Sequence, residues 1–164
     1  MSDRRTAPGQ RRAREFEAFV TGAAGRLLHT ATLLTAEIPG DSPRARRLLL
    51  AALAHTCAHW DRLRDEDPYD HARHELVGRF ARGAWRGGRT GGGVLGRIAP
   101  KDRLVVVLTL YEGVPEEQTA ALLGLPVERV GAVRRRAVAE LCEPPEPVLR
   151  PARAGGPGGS GRTP

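Results

Sequence analysis

The most informative segment of the chain runs from Val114 to Leu141 and reads VPEEQTAALLGLPVERVGAVRRRAVAEL. Pro115 can begin a helix, because its missing N–H falls among the donors that every helix start leaves unpaired. Gly124 has the permissive backbone that a sharp turn needs, and Pro126 begins another helix two residues later. Apolar residues then recur at the spacing of one buried helical face, namely Val127, Val130, Val133, Ala137 and Leu141. The segment predicts a helix-turn-helix, whose second helix enters a major groove of DNA.

The second helix of this motif also carries a basic face. Four arginines occupy its more polar positions and are candidates for contacts with DNA: Arg129, Arg134, Arg135 and Arg136. Arg129 is the expected base reader, because the first turns of a recognition helix reach the base edges. Any three-helix bundle also contains a helix, a turn and a helix, and an arginine-rich face is ordinarily solvated, so both interpretations stay open at this point. An apolar helix expected at 104–111 precedes the segment, which is the order of a tri-helical DNA-binding domain.

Three further helices are expected in the first half of the chain. An apolar pattern over residues 16–34 predicts one helix or a pair of short ones, since two glycines weaken its middle. Ser42 and Pro43 provide a cap and a helix start for the second, and Asp67-Pro68 repeats the device for the third. Together these helices predict one helical module at residues 15–86.

Composition changes sharply around the helical segments. Six glycines fall between residues 87 and 96, too many for a helix, so residues 87–97 are expected to form a flexible linker. Residues 1–14 are predicted to be a disordered basic arm, and the Pro- and Gly-rich residues 143–164 a disordered tail. The sequence therefore predicts an all-α protein in which two small helical modules, 15–86 and 98–142, are tethered and move independently.

Net charge and cysteine content limit the classes of function that the chain can have. The 164-residue chain has a net charge of +7 at pH 7 and a pI near 10.8, which suits a polyanionic partner. Its two cysteines, Cys57 and Cys142, are far apart and form neither a disulfide framework nor a CxxC metal pair. No apolar run is long enough to cross a bilayer, and no signal core follows the basic N terminus. A cytoplasmic protein with no membrane partner is therefore expected.

The histidines raise the question of a helical metal enzyme. His55 and His59 lie four residues apart and can share a helix face, with His71, His74 and Glu75 on the next helix. Metal chemistry needs three or four converging ligands, and the HExxH arrangement is absent from the chain. The glycine run also lacks the Lys-Ser/Thr pair of a nucleotide-binding loop. We therefore expect neither an enzyme nor a bound metal or cofactor.

Several short segments are similar in order and in amino-acid sequence to those of a known family. They are FEAFV at 16–20, LLHTATLLT at 27–35, Ala58-His59-Trp60, Asp67-Pro68, Trp85-Arg86 and the longer segment Ile98–Val130. In these segments the chain resembles the sigma-70 superfamily, specifically the small two-domain extracytoplasmic-function sigma factors of actinobacteria. The resemblance covers roughly residues 16–141 and is strongest in the second module.

The resemblance implies a division of labour between the modules. The first would correspond to sigma region two, which binds the clamp of core RNA polymerase and captures the unstacked minus-ten element. The second would correspond to region four, which reads the minus-thirty-five element of promoter DNA and docks on the polymerase flap. On this basis Arg79, Arg82, Trp85 and Arg86 form the minus-ten face, since trapping melted bases needs basic and aromatic side chains. The alternative for Trp85 is a core or interface tryptophan.

The chain departs from the family pattern at two places. Many relatives have D-L-V-Q on the clamp-binding helix, where this chain has Arg47, two leucines and Leu50, so that Arg47, Leu48 and Leu50 are its candidate polymerase contacts. Early in the recognition helix, Gly131 and Ala132 replace the usual lysine or small polar residue at DNA-facing positions. The first departure predicts weak binding to core polymerase. At least one of the three successive leucines is also expected to lie exposed, because they cannot all face one core.

Two interpretations compete with a sigma factor that directs core polymerase to promoters. One is a diverged, sigma-like DNA-binding regulator that does not itself support initiation. The other is a protein-interaction module that retains a sigma-like shape. An anti-sigma or other regulatory protein is a further expected partner. Only a sigma factor makes initiation by core polymerase conditional on this chain.

Overall fold

Six α-helices make up most of the residues that the computed structural model describes, which are 8–83 and 91–144. They are α1 (Pro8–Thr35), α2 (Pro43–Ala58), α3 (Pro68–Gly83), α4 (Pro100–Val106), α5 (Glu116–Leu123) and α6 (Val127–Cys142). Within these ranges, bridge-type pairing is limited to one contact between Ile38 and Asp41 in the turn after α1. The all-α prediction is therefore confirmed for the described residues.

Helix α1 begins at Pro8 and continues without interruption to Thr35. The prediction of a disordered arm through residue 14 is therefore wrong from Pro8 onward, and residues 1–7 lie outside the described ranges. Arg12 holds this early turn, because its guanidinium donates a 2.8 Å hydrogen bond to the Cys57 carbonyl and pairs with Asp61 at 3.0 Å. The two glycines in the middle of α1 leave it unbroken, since a buried stripe on the opposite side packs the helix against its neighbours.

Helices α1, α2 and α3 pack through alanine and aliphatic side chains. The buried residues are Ala23, Leu27, Ala31 and Leu34 in α1, Ala45, Leu49, Ala52 and Leu53 in α2, and Ala72, Leu76, Val77 and Phe80 in α3. Phe16 and Phe19 contact Trp60, in the short 3-10 turn after α2, with ring centroids 5.2 and 5.3 Å from that of the tryptophan. Trp85 and Arg86, predicted to end the third helix, lie outside the described residues.

An acidic residue from the preceding turn stabilises the start of α2. Ser42 occupies the cap position as predicted, but its side chain makes no capping hydrogen bond. Glu37 accepts instead from the backbone N–H groups of Arg44 at 3.0 Å and Ala45 at 2.7 Å. Burial acts to raise the pKa of Glu37, but these N–H groups and the Thr35 hydroxyl outweigh it and lower the pKa. Donors that the helix start would leave unpaired are thereby satisfied.

Helix α4 continues into a π-helical turn over Val107–Tyr111, where the Glu112 N–H donates to the Val107 carbonyl at 2.9 Å. A π-helical turn inserts one residue into a helix and changes which side chains face inward. The three helices of the second half then pack around a small apolar cluster of Val105, Ala120, Val130 and Val133. This arrangement places α5 and α6 on the outer side of α4.

The glycine-rich segment packs tightly where it is described. Gly93 donates its N–H to the Ala36 carbonyl at 2.9 Å, and Leu95 and Ile98 are buried in the main core. A Cβ atom at Gly91 or Gly93 would overlap the backbone at the end of α1, so glycine is needed there for close approach. The prediction of a flexible linker is therefore wrong for residues 91–97, whereas residues 87–90 lie outside the described ranges.

A buried arginine joins the second half of the chain to the first. Arg103 is only 2% exposed, and it donates from Nε to the Ile98 carbonyl at 2.8 Å and from Nη1 to the Leu34 carbonyl at 2.9 Å. Leu34 lies in the last turn of α1, where the helix dipole is negative and can stabilise this guanidinium, which has no carboxylate partner within residues 8–83 and 91–144. Burial, with Arg44 adding like-charge repulsion, lowers the pKa of Arg103.

A buried carboxylate makes the second connection. The Glu112 side chain has no exposed surface, and it pairs with Arg26 of α1 at 3.0 Å. The Thr30 hydroxyl and the Tyr69 hydroxyl also donate to it, the latter at 3.0 Å. One apolar cluster likewise takes residues from α1 to α4 and from α6. The structure thus differs from the expected pair of tethered modules, because the two halves share one core.

Candidate nucleic-acid interface

Helices α5 and α6 meet at a tight turn centred on Gly124. This glycine has a φ of +64°, in the left-handed region that ends a helix at little cost only when the residue has no Cβ. The Leu125 N–H donates to the Ala120 carbonyl at 2.9 Å, which closes the turn. Val130 and Val133 then hold α6 against α5 and α4. The local geometry is a helix, a turn of a few residues and a second helix, as the spacing of glycine and prolines predicted.

The outward face of α6 carries part of the predicted DNA-facing set. Arg129, Ala132, Arg135 and Arg136 are exposed. Gly131 is buried instead, and a Cβ there would lie 3.1 Å from a carboxylate oxygen of Glu116 on α5. The assignment of Gly131 to the DNA-facing positions is therefore wrong. Its side of the helix faces the Glu116 side chain of α5.

Two arginines of α6 form ion pairs with carboxylates of the same molecule. Arg134 is half-buried and pairs with Glu116 at 2.9 Å, and Arg136 pairs with Asp102 of α4 at 2.5 Å. Within residues 8–83 and 91–144, the structure gives no ion pair to Arg129 or Arg135. Because partners compete for a guanidinium, these last two are the most available cations of α6 for phosphate or base contacts.

Arg129 stands at the mouth of a groove between the halves. The groove has a volume of about 680 Å³, and α3 contributes one wall through His74, Val77, Gly78 and Ala81. The turn and α6 contribute the other wall, including Leu125 and Val133. The start of α6 therefore faces α3, and a DNA backbone at Arg129 would also approach that helix.

A second basic surface lies where α2 and α3 run side by side. We call it the α2–α3 basic surface, and it is lined by Arg44, Arg47, Leu48, Ala51, Arg79 and Arg82 around a shallow depression. Arg82 is exposed and Arg79 half-buried. Nε of Arg79 lies 2.7 Å from Glu75, an ion pair whose angle is not that of a hydrogen bond, and Arg82 lies 3.8 Å from the same carboxylate. Glu75 and Glu37, the latter beside Arg44, offset only part of the charge of the four arginines, so the surface stays positive.

This surface brings together residues that the sequence assigned to different partners. Arg47 and Leu48 were expected to contact polymerase, whereas Arg79 and Arg82 were expected to contact melted DNA. Leu50 is 66% exposed and Leu49 buried, so the prediction that at least one of the successive leucines is exposed is confirmed. The adjacency of Arg47 to the α3 arginines depends on how two helices pack, which periodicity within either helix does not specify.

The histidines are also brought together in a way that the sequence did not predict. The candidate ligand atoms of His55, His59 and His71 all lie within 4.8 Å of one another. His74 is exposed on α3 and lines the groove instead. The spacing of His55 and His59 was a visible signal, but the approach of His71 requires the packing of α3 on α2.

The chain matches no protein-family model, and no curated protein or solved structure is significantly similar to it. Among the described helices, none has both the length and the apolarity needed to cross a membrane.

Proposed function

We propose that this protein is a DNA-binding transcription initiation factor of the sigma type, which directs core RNA polymerase to promoters. The observation that carries the proposal is the exposed face of α6, where Arg129 and Arg135 stand free of ion pairs within the described residues beside the small side chain of Ala132. A second helix that presents available guanidinium groups next to a small residue suits entry into a major groove. The family resemblance supplies the specific role.

The α2–α3 basic surface supports a second nucleic-acid contact. Four arginines line it on two adjacent helices, with Glu75 near Arg79 and Arg82 and Glu37 near Arg44. A cluster of this kind favours a phosphate backbone, since neutralising phosphates releases counterions. Arg47 adds its charge to this surface beside Arg79 and Arg82.

The shared core adds a condition to the proposal. A duplex element and a melted element are separate DNA segments, and here both candidate surfaces belong to one packed unit joined through Arg103 and Glu112. Engagement of both elements on polymerase then requires this junction to open. The packed form is the resting state of the free protein in this proposal.

The deciding experiment is transcription of genomic DNA by purified core polymerase with and without the protein. Specific initiation that depends on the protein is the expected result. Sequence-specific DNA binding without initiation would favour the DNA-binding regulator, and absence of any DNA binding would refute the proposal.

Variants of α6 test the orientation of the recognition helix. Arg129→Ala should weaken binding to the preferred DNA sequence, relative to binding to random DNA, by about 1–3 kcal/mol. This is the discrimination that one arginine–guanine pair provides. Arg135→Ala should lower affinity for all sequences and reduce the salt dependence by about one counterion. Arg62→Ala, an exposed arginine in the turn after α2, is the matched control and should leave both quantities unchanged.

Polymerase binding has its own test on α2. A carboxylate and an amide at the positions of Arg47 and Leu50 would restore the polar contacts of the family, so the variant Arg47→Asp with Leu50→Gln should bind core polymerase at least about tenfold more tightly. Equal or weaker binding would show that α2 contacts polymerase differently or not at all. That outcome would agree with the location of Arg47 on the α2–α3 basic surface.

A further inference from the structure

Three of the five histidines of the chain meet where the end of α2 faces α3. His55 and His59 follow one another by one helical turn, and His71 lies opposite them in the first turn of α3. The ring centroids of His55 and His59 are 4.2 Å apart, and those of His55 and His71 are 5.6 Å apart. Their candidate ligand nitrogens lie within 4.8 Å of one another.

Two of these nitrogens are buried without a hydrogen-bond partner in the described part of the chain. They are Nδ1 of His55 and Nε2 of His71. Buried polar atoms are nearly always paired with protein, water or an ion, so an unsatisfied nitrogen on each of two neighbouring rings calls for a partner. A single cation bound by nitrogen lone pairs would satisfy both.

The third histidine is already set in a metal-binding tautomer. His59 lies 2.9 Å through Nδ1 from the backbone carbonyl of His55, and a carbonyl can only accept. Nδ1 of His59 therefore carries the hydrogen, and Nε2 keeps its lone pair. A ligand histidine whose other nitrogen donates to a carbonyl is the usual outer-shell arrangement of metal sites, because it fixes the ring orientation.

A carboxylate stands next to the histidine cluster. Oε2 of Glu75, on the same helix as His71 and one turn further, lies 3.8 Å from Nδ1 of His55. This distance is too long for a hydrogen bond, and Glu75 is not among the residues whose ligand atoms all lie within 4.8 Å of one another. Oε1 of Glu75 is directed to Arg79, so the second oxygen is the one that faces the histidines. A negative charge at this place would offset part of the charge of a divalent cation.

We propose that His55, His59 and His71 form a binding site for a divalent transition-metal ion, with Zn²⁺ as the expected occupant, water as its fourth ligand and Glu75 as a nearby compensating charge. Imidazole nitrogens suit zinc and its neighbours, whereas magnesium and calcium prefer oxygen ligands. A tetrahedral site with Zn–N bonds of about 2.0–2.1 Å has nitrogens about 3.4 Å apart. The three rings then need to close by about 1.5 Å, a movement that rotation of side chains can provide.

An ion can reach the three rings from solvent. His55 is about one-third exposed through its side chain, which leaves an entry path for an ion.

The metal would join α2 to α3 near the α2–α3 basic surface. Structural metal binding stabilises the folded state, because the unfolded chain does not hold the ligands together. This inference is independent of the proposed function: the site requires only the packing of the two helices. The ion is given no catalytic part.

The test is a titration of metal-free full-length protein with Zn²⁺ in competition with a chromophoric zinc indicator. One ion per chain is expected, with a Kd of about 1 μM or tighter, and the melting temperature should rise on binding. His71→Gln should weaken affinity at least about 100-fold, since loss of an outer-shell partner alone costs 10–100-fold. Circular dichroism of each variant without metal verifies that it is folded.

Matched controls separate this site from general histidine binding. His74→Gln, an exposed histidine on the same helix as His71, should keep the affinity and the stoichiometry. Co²⁺ bound to the protein should give the visible absorption of four-coordinate cobalt without a thiolate band, since Cys57 is not among the ligands. Absence of stoichiometric Zn²⁺ binding below about 100 μM would overturn the proposal. Full affinity in His71→Gln would also overturn it, because the pair on α2 would then suffice.

Discussion

Replacing Arg103 with methionine removes the buried guanidinium while keeping an unbranched side chain of similar length. Arg103 donates to two buried carbonyl oxygens, those of Ile98 and Leu34, and has no carboxylate partner among the described residues. The variant therefore leaves the carbonyl oxygens of Ile98 and Leu34 without this hydrogen-bond donor. It also removes a charge whose burial is itself unfavourable.

These two effects oppose one another, and their balance sets the expected magnitude. Each stranded buried acceptor costs about 1–3 kcal/mol, so the pair costs about 2–6 kcal/mol. Loss of the buried charge recovers part of the desolvation cost, but the negative end of α1 already offsets some of that cost in the native protein. We expect Arg103→Met to lower the free energy of unfolding by about 2–4 kcal/mol.

Denaturant unfolding followed by circular dichroism measures this difference directly. Limited trypsin digestion provides a second measurement, because Arg97 lies in the segment that Arg103 holds against α1. Cleavage at Arg97 should be slow in the natural protein and fast in Arg103→Met. Arg62→Met, which removes an exposed charge from the turn after α2, should change neither quantity appreciably.

A neutral or stabilised Arg103→Met variant would falsify this account. It would show that desolvation of the guanidinium exceeds the value of its two hydrogen bonds, as happens at some buried charges. Rapid cleavage at Arg97 in the natural protein would contradict the account differently. The two halves would then separate readily in solution despite their shared core, as the glycine-rich sequence predicted.

Four further substitutions test the packing of the junction, of α1 and of the start of α2. The pKa of Glu37 is lowered in the folded state, so its contribution to stability is present above about pH 4.3 and is lost as the pH falls through the lowered pKa. In Glu37→Gln, the free energy of unfolding measured with urea from about pH 3 to 7 should therefore depend less on acid. Glu112→Leu should lower the free energy of unfolding by about 2 kcal/mol, less than the roughly 3–5 kcal/mol of an unpaired buried charge. Arg26, the nearer of its two arginine partners, is half exposed and can rehydrate, whereas Arg73 lies 3.8 Å away. Gly91→Ala should destabilise the folded protein by about 1–3 kcal/mol, because the added Cβ overlaps Ala36. Gly22→Ala has open space around it and should stabilise α1 by about 0.5–1 kcal/mol. The melting temperatures of the two variants should therefore shift in opposite directions.

Local sequence signals predicted most helix positions. The two prolines and Gly124 set the bounds of α5 and α6, because each acts on its own backbone torsions and hydrogen bonds. The start of α1 was missed, since residues 8–14 are held by contacts with the end of α2 that no local pattern contains. Glu37 as the partner of the α2 start was missed for the same reason.

The glycine-rich segment shows why composition alone misleads at such a place. Many glycines predict flexibility when the chain is free, because glycine has the largest conformational freedom. The same absence of a Cβ permits Gly91 and Gly93 to approach the end of α1 more closely than other residues can. Which consequence prevails depends on whether a partner surface lies nearby, and that is a tertiary property.

The sequence by itself determined the helical class, the turn at Gly124 and the arginines of α6, because these follow from torsional preference and from periodicity within one element. Only the tertiary structure decided which of those arginines are already paired, that Gly131 is buried, and that His71 meets His55 and His59. Each of these facts concerns side chains on different helices. Their distances depend on how helices cross and on which contacts the shared core selects, and a periodic pattern within one helix carries no information about the rotation of its neighbour.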